Sequence, residues 1–420
     1  MMEVARSRPQ KRILVSAFAC LPGEGSENGV GWTWAQRIAR AHETWVLTGS
    51  RNRALIERAP SHPSIHWVFV ETTPPRPRGF LGRVGFQAYY SAWQIAAERI
   101  ARSLHRRFQF NLAHHVTIGA YWMPIALSAL SIPILWGPVG GGEQCPAGLR
   151  AGLSLRARLS DSLRDKAQQM SASMHRVGPS MRKAAWILCK TPETERVIRR
   201  WGPVRTSVMS EVCLSAADLS LLTSLPLRND PPIRFVSMGR MVDFKAFDLG
   251  LEAFAIAQPR LSAAQFWLIG DGPLRSSLER RAFQLRIGDH VRFLGRLHRR
   301  DALRVLSESD ILVHPSLHDS GGWTIVEAMA AGRPVICLDV GGPRLQVKPS
   351  TGIRIHATSR EEVVTRIAAA MVDLGGNTEK RLAMASACRS RATADFSTQC
   401  LDDRLDAIYA DVLGSGSRSN

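Results

Sequence analysis

The chain has 420 residues, more than one ordinary domain holds and enough for two of about 200. With 45% hydrophobic residues it has the apolar content for real cores, which excludes a largely disordered chain. Fifty-five basic against 36 acidic residues leave a formal charge of +19, which favours an anionic partner: a nucleotide-sugar, a nucleic acid or an anionic membrane surface. The seven cysteines form no C-x-x-C pair, so a disulfide framework or a zinc site is not expected and a reducing cytoplasm is. The most apolar later stretch, 121–136, is broken by Pro124 and Pro133 and falls short of the roughly 20 residues of a membrane-spanning helix.

A basic tail (1–10) precedes Lys11-Arg12 and an apolar run to Cys20. The run has the faint outline of a lipoprotein signal, but it reads as a first buried strand, 12–18. A loop carrying Gly29 and Gly31 follows, then a helix (33–41) and a second strand (44–48). Strand, glycine-bearing loop, helix, strand is a nucleotide-fold unit, and the two glycines let backbone approach closely at the helix mouth. The loop does not match G-x-G-x-x-G and has no acid placed for a dinucleotide ribose, which disfavours a dehydrogenase. A third strand (65–70) and a proline-rich stretch lead to a helix (86–107) with Phe86, Tyr89, Tyr90 and Trp93. A strand at 111–117 bears His114 and His115, and one at 134–139 ends in Gly140-Gly141-Gly142 with Glu143 beside it. That side-chain-free stretch is expected to form a ledge for a bulky acceptor. Region 147–183 mixes eight Arg and Lys with two Asp and interleaved leucines, which suits either an anionic membrane face or a core face backed by solvated charge. No helix-turn-helix, finger or RNP-like pattern appears, so specific nucleic-acid binding is not expected.

The aperiodic stretch 216–232 reads as an interdomain linker. Strands at 234–238, 265–270, 290–294, 311–313 and 335–338 then alternate with helices at 246–257, 274–285 and 300–307 and one from Trp323. This alternation implies a second doubly wound parallel α/β sheet. Helices at 359–374, 378–394 and 400–412 complete the chain before a tail at 414–420.

The chemistry concentrates in two strings. Between the strand 311–313 and the helix from Trp323 lies His318-Asp319-Ser320-Gly321-Gly322, with Glu327 one turn into the helix. Amides at that helix N-terminus suit a phosphate, and the two acids suit sugar hydroxyls on either side of it. Gly239-Arg240, with Lys245 five residues on, follows a strand and opens a helix. The arginine offers a planar fork and the lysine a point charge for a diphosphate.

Asp319, seven residues, then Glu327-Ala-Met-Ala-Ala-Gly-x-Pro-Val resembles the E-x7-E signature of retaining family-4 glycosyltransferases (glycosyl transferases group 1), with Asp in place of the first Glu. The string from Gly239 to Asp248 resembles the family's G-R-x-x-x-x-K-G-x-D, with Ala246 in place of its glycine, a change expected to matter little because a small residue still fits. The resemblance implies a GT-B fold: two Rossmann-like domains facing a central cleft, and a C-terminal helix crossing back to the first. Residues 1–215 plus the returning helix 396–413 would form the acceptor-side domain, and 216–395 the nucleotide-sugar donor domain. It also implies retaining transfer of a sugar from a nucleotide-diphosphate donor to a saccharide or glycolipid acceptor in cell-surface polysaccharide synthesis, without a cofactor or metal. Arg240 and Lys245 would stabilise the leaving diphosphate, Glu327 would accept from the ribose, and Asp319 with Gly321 and Gly322 would hold the transferred sugar. Amides of Thr324 and Ile325 would bind phosphate, and Arg296 and Leu297 would present backbone to the base. His115, with His114 as the one-residue alternative, would touch the donor sugar. Gly29, Gly31 and Gly239 would shape the donor site, and Gly141, Gly142 and Glu143 would serve the acceptor. The expected location is the cytoplasm, peripheral at the inner membrane face. The rival readings are a GT-B-fold epimerase or sugar phosphorylase, and a non-catalytic basic binding protein.

Overall fold

The computed structural model describes residues 11–72, 82–123, 125–153, 155–173, 177–228, 230–261 and 263–415. The basic tail 1–10 and the last five residues of the expected C-terminal tail lie outside them, as does most of the proline-rich stretch before the first long helix. The chain forms two compact units: Met1–Gly142 with Ala167–Glu211 and Asp402–Asn420, and Glu143–Lys166 with Val212–Leu401.

The first unit is a seven-stranded parallel sheet of β1 (Arg12–Ser16), β2 (Glu43–Gly49), β3 (Ile65–Val70), β4 (Leu112–His115), β5 (Ile134–Val139), β6 (Trp186–Cys189) and β7 (Thr206–Val208), ordered β3-β2-β1-β4-β5-β6-β7. The central strands β4 and β5 are buried on both faces, as parallel sheets flanked by helices require. Successive histidines on β4 mark the two faces. His115 meets Tyr90 on the long helix Gly82–Phe108, while His114 meets Tyr409 on the terminal helix Thr398–Ser415. The returning helix thus packs on the first sheet, where buried Arg37 also pairs with Asp402 at 2.5 Å.

The second unit has β8 (Arg234–Met238), β9 (Gln265–Ile269), β10 (Val291–Gly295), β11 (Ile311–His314), β12 (Val335–Leu338) and β13 (Gly352–Ile355), all parallel, ordered β10-β9-β8-β11-β12-β13. Phe235, Ile311 and Val313 face one core with the helices Phe247–Ala257 and Arg360–Gly376. Val236 and Leu312 face the other with Trp323–Ala330 and Thr378–Phe396.

Two segments differ from the sequence reading. The expected linker contains a helix, Ala216–Ser224, capped by the Ser215 hydroxyl and anchored by buried Leu222. Residues 143–166 pack in the second unit rather than the first, because Cys145 and Leu149 enter the second sheet's core.

Candidate active site

Both sheets reverse strand order once, between β1 and β4 and between β8 and β11. The carboxyl ends of strands beside such a reversal are where ligands bind in open α/β sheets. In the second unit those ends carry the two strings singled out above.

Gly239, at φ +153°, turns the chain out of β8, and Arg240 follows as an exposed side chain. Among the described residues no hydrogen bond or ion pair engages its guanidinium. A short 3-10 turn, Asp243–Lys245, then swings Lys245 back so that its Nζ lies 2.5 Å from Asp319 Oδ2. Ala246, the family's glycine position, sits at φ 47°, ψ 42°. What the glycine supplies here is therefore left-handed backbone, not space, and the alanine carries about 1–2 kcal/mol of strain. The expectation that this change matters little is corrected on that ground.

The β11 loop is built around Asp319. One carboxylate oxygen accepts from Lys245 and lies 3.1 Å from His314 Nε2, and the other accepts from the Gly321 and Gly322 amides at 3.1 Å each. Burial alone would raise this carboxyl, but Lys245 and the bond to His314 hold it well below the usual range. Gly322, at φ +65°, starts the helix Trp323–Ala330 and is packed so that a Cβ would stand 2.1 Å from Gln346 Oε1. Gln346 Nε2 donates to the Gly321 carbonyl at 2.5 Å. The Ile325 amide is taken by the Gly322 carbonyl at 3.0 Å. That leaves Trp323 and Thr324 as the helix amides without an acceptor among the described residues, so Thr324 keeps its expected availability while Ile325 does not.

Glu327, 3% exposed, pairs with Arg299 on the helix Arg299–Ser307, and Arg299 also reaches Asp218 of the Ala216–Ser224 helix at 3.3 Å. Burial pushes the Glu327 carboxyl up, against the pull of Arg299. Exposed Arg296 and half-buried Leu297 lie between β10 and Arg299, in the connection leading to this ion pair. His318 stacks on Phe244 with centroids 4.8 Å apart, and its Nε2 lies 2.7 Å from Arg164 Nη1. Burial and Arg164 push the ring down to about 4, so it is neutral near pH 7.

In the first unit, His115 is 1% exposed, with Nδ1 3.2 Å from Ser16 Oγ and Nε2 3.3 Å from Tyr90 Oη. Burial, with His114 alongside, pushes it down to about 3. His114 is occupied in the same way by Tyr409 and the Gly137 carbonyl. Gly29 and Gly31 lie inside the helix Ser26–Ala41, not in a loop. The backbone they approach is the chain's own, since a Cβ on Gly31 would stand 2.0 Å from the Ala19 carbonyl oxygen. Gly141 and Gly142 are covered as well, in place of the open ledge that the sequence suggests. A methyl group on Gly141 would stand 2.0 Å from the Trp122 ring, and one on Gly142 would stand 2.4 Å from Thr194 Cα. Glu143 belongs to the second unit, buried beside Gly341, whose neighbour Gly342 donates to the Asp319 carbonyl at 2.8 Å.

Lys245, Asp319, Gly321 and Gly322 are thus in direct contact; Glu327 forms a separate pair; Arg240 stands exposed at the end of β8. Arg299, Asp218 and His314 join the site without having stood out in the sequence. None of the three belongs to a motif that the sequence shows.

Residues 225–391 match the family model described as glycosyl transferases group 1. A GDP-mannose-dependent monoacylated alpha-(1-6)-phosphatidylinositol monomannoside mannosyltransferase of Corynebacterium glutamicum is 29% identical over 170 residues, 38% of this chain and 43% of that enzyme. The chain therefore spans less than half the length of this curated relative. Among solved structures, sucrose-phosphate synthase from Thermosynechococcus elongatus superposes with a TM-score of 0.67 at 18% identity, covering 97% of this chain and 100% of the other. Anabaena HepE in complex with UDP gives 0.60 at 16% identity, covering 96% and 100%. The fold is GT-B.

Proposed function

From the match of residues 225–391 to the glycosyl transferases group 1 model, we propose that the chain moves a sugar from a nucleotide-diphosphate donor, with retention, to a saccharide or lipid-linked acceptor in cell-surface polysaccharide synthesis. One observation carries this reading: Lys245, exposed Arg240 and the N-terminus of the Trp323–Ala330 helix all stand at the carboxyl ends of β8 and β11, beside the strand-order reversal. Two cations and free helix amides there match the charge that develops on a departing diphosphate, and such fixed electrostatic stabilisation usually contributes most to catalysis. Glu327 lies one turn further along the same helix, paired with Arg299, and in this reading accepts from the ribose of the bound donor. The leaving phosphate oxygen takes the acceptor proton on the same face of the sugar. The basic pair and amides supply the electrostatic work for which other phosphate-transfer sites use a cation, so turnover is expected in excess chelator.

The second unit takes the donor and the first the acceptor in this reading. For His115 to meet a sugar hydroxyl, its Ser16 or Tyr90 hydrogen bond must be exchanged. The UDP bound to HepE and the GDP-mannose dependence of the Corynebacterium relative support a nucleotide donor and leave the base open.

An anionic membrane surface at the inner face of the cytoplasmic membrane fits as a further partner. The helix Leu155–Ser173 has inverted polarity: Asp161 and Asp165 are buried, while Leu159, Leu163 and Met170 are 62%, 66% and 69% exposed, flanked by exposed Arg158 and Lys166.

The test is a thermal-shift panel of UDP, GDP and ADP with their hexose conjugates. One nucleotide series should raise the melting temperature, since a ligand of the folded state stabilises it. No shift with any of them would contradict the proposal.

A further inference from the structure

We infer that Asp319 is a positioning residue for the diphosphate, acting through Lys245 and the helix N-terminus, and is not a ligand of the transferred sugar. The inference rests on the proposed function and reassigns one acid within it.

An ionised carboxylate offers about four acceptor sites. Asp319 has four partners in place: Lys245 Nζ at 2.5 Å, His314 Nε2 at 3.1 Å, and the amides of Gly321 and Gly322 at 3.1 Å. A sugar hydroxyl would have to displace one of them. The two amides expected to serve the sugar are likewise consumed, since they point at Asp319. The loop is closed from behind as well, by Gly342 N on the Asp319 carbonyl and Gln346 on the Gly321 carbonyl.

What the carboxylate holds are the phosphate-binding parts. It fixes the ammonium of Lys245. With Nε2 donating to Asp319, His314 presents Nδ1 as an acceptor 3.4 Å from the Thr324 hydroxyl, on a residue whose amide has no acceptor among the described residues. One acid therefore ties the lysine arm to the helix N-terminus. Bonding to the amides two and three residues ahead is a turn that Asp makes and Glu, one methylene longer, does not make in the same geometry. The departure from the family's first Glu is thus what this loop requires.

The experiment is calorimetric titration of wild type, Asp319→Asn, Asp319→Glu, Lys245→Ala and the Lys245→Ala/Asp319→Asn double variant. Each is titrated with the bare nucleoside diphosphate (UDP, GDP or ADP, whichever wild type binds) and with its hexose conjugate. A hydrogen bond to a charged group is worth about tenfold or more in affinity. Asp319→Asn should therefore weaken the bare diphosphate and the conjugate alike, by about tenfold. It should add little in the Lys245→Ala background, and Asp319→Glu should not restore wild-type affinity. An unchanged affinity for the bare diphosphate with a weakened conjugate would overturn the inference, as would wild-type behaviour of Asp319→Glu. Should the Asp319 variants fail to fold, His314→Asn gives the same comparison: parallel weakening of both ligands supports the inference, and selective loss of the conjugate overturns it. Wild type binding no nucleoside diphosphate would fail the proposed function itself, a result distinct from either pattern.

Discussion

Glu327 shows what a buried acid needs from its neighbours. Its carboxylate is almost fully buried, and a buried charge without a partner is strongly destabilising, so Arg299 is obligatory even before any ligand arrives. Arg299→Ala should lower stability by about 3 kcal/mol in urea melts, the low end for a broken buried pair because the arginine is partly exposed. Adding Glu327→Gln should recover much of that loss by removing the stranded charge. Full additivity of the two substitutions would show that the pair is not coupled. Glu327→Ala should weaken donor binding, and an unchanged donor affinity would remove the ribose role. The string holding Asp319 and Glu327 is legible in the sequence because its spacing is local. Arg299 and Asp218 are not, because the contacts join residues 28 and 81 positions apart and no periodicity encodes them.

At the scale of elements, strand–helix alternation reveals both sheets, since buried parallel strands read as short apolar runs between amphipathic helices. The departures share a cause: packing overrides local propensity. Gly29 and Gly31 look like loop residues, yet they lie in the helix Ser26–Ala41 because the preceding loop folds directly onto them. The stretch 216–232 looks like linker, yet a Ser215 cap and the burial of Leu222 make its first half helical. Ala246 is the reverse case, a residue whose size suggests indifference and whose backbone conformation does not allow it. Ala246→Gly should stabilise the second unit by about 1 kcal/mol, read as a raised urea midpoint. A lowered midpoint would contradict the strain assigned to this turn.

For the whole molecule, charge and the inverted helix point the same way. The buried face of Leu155–Ser173 directs its aspartates at Arg150 and Arg164, and Arg164 reaches His318, the residue before Asp319. Leu159 and Leu163 face outward instead, away from this network. Wild type should therefore co-sediment with phosphatidylglycerol-containing vesicles more than with phosphatidylcholine, and Leu159→Glu/Leu163→Glu should abolish the difference without loss of fold. Equal sedimentation of wild type with both lipids would contradict this role.

The central claim is that bond breaking is driven by the two cations and helix amides acting on the departing diphosphate. It is tested most directly by turnover of Arg240→Ala and Lys245→Ala, in excess chelator, with the donor identified by thermal shift. The account predicts that wild type turns over there and that each variant loses about 2–4 kcal/mol of transition-state stabilisation. Near-normal turnover of both variants, or loss of wild-type activity in the chelator, would contradict it.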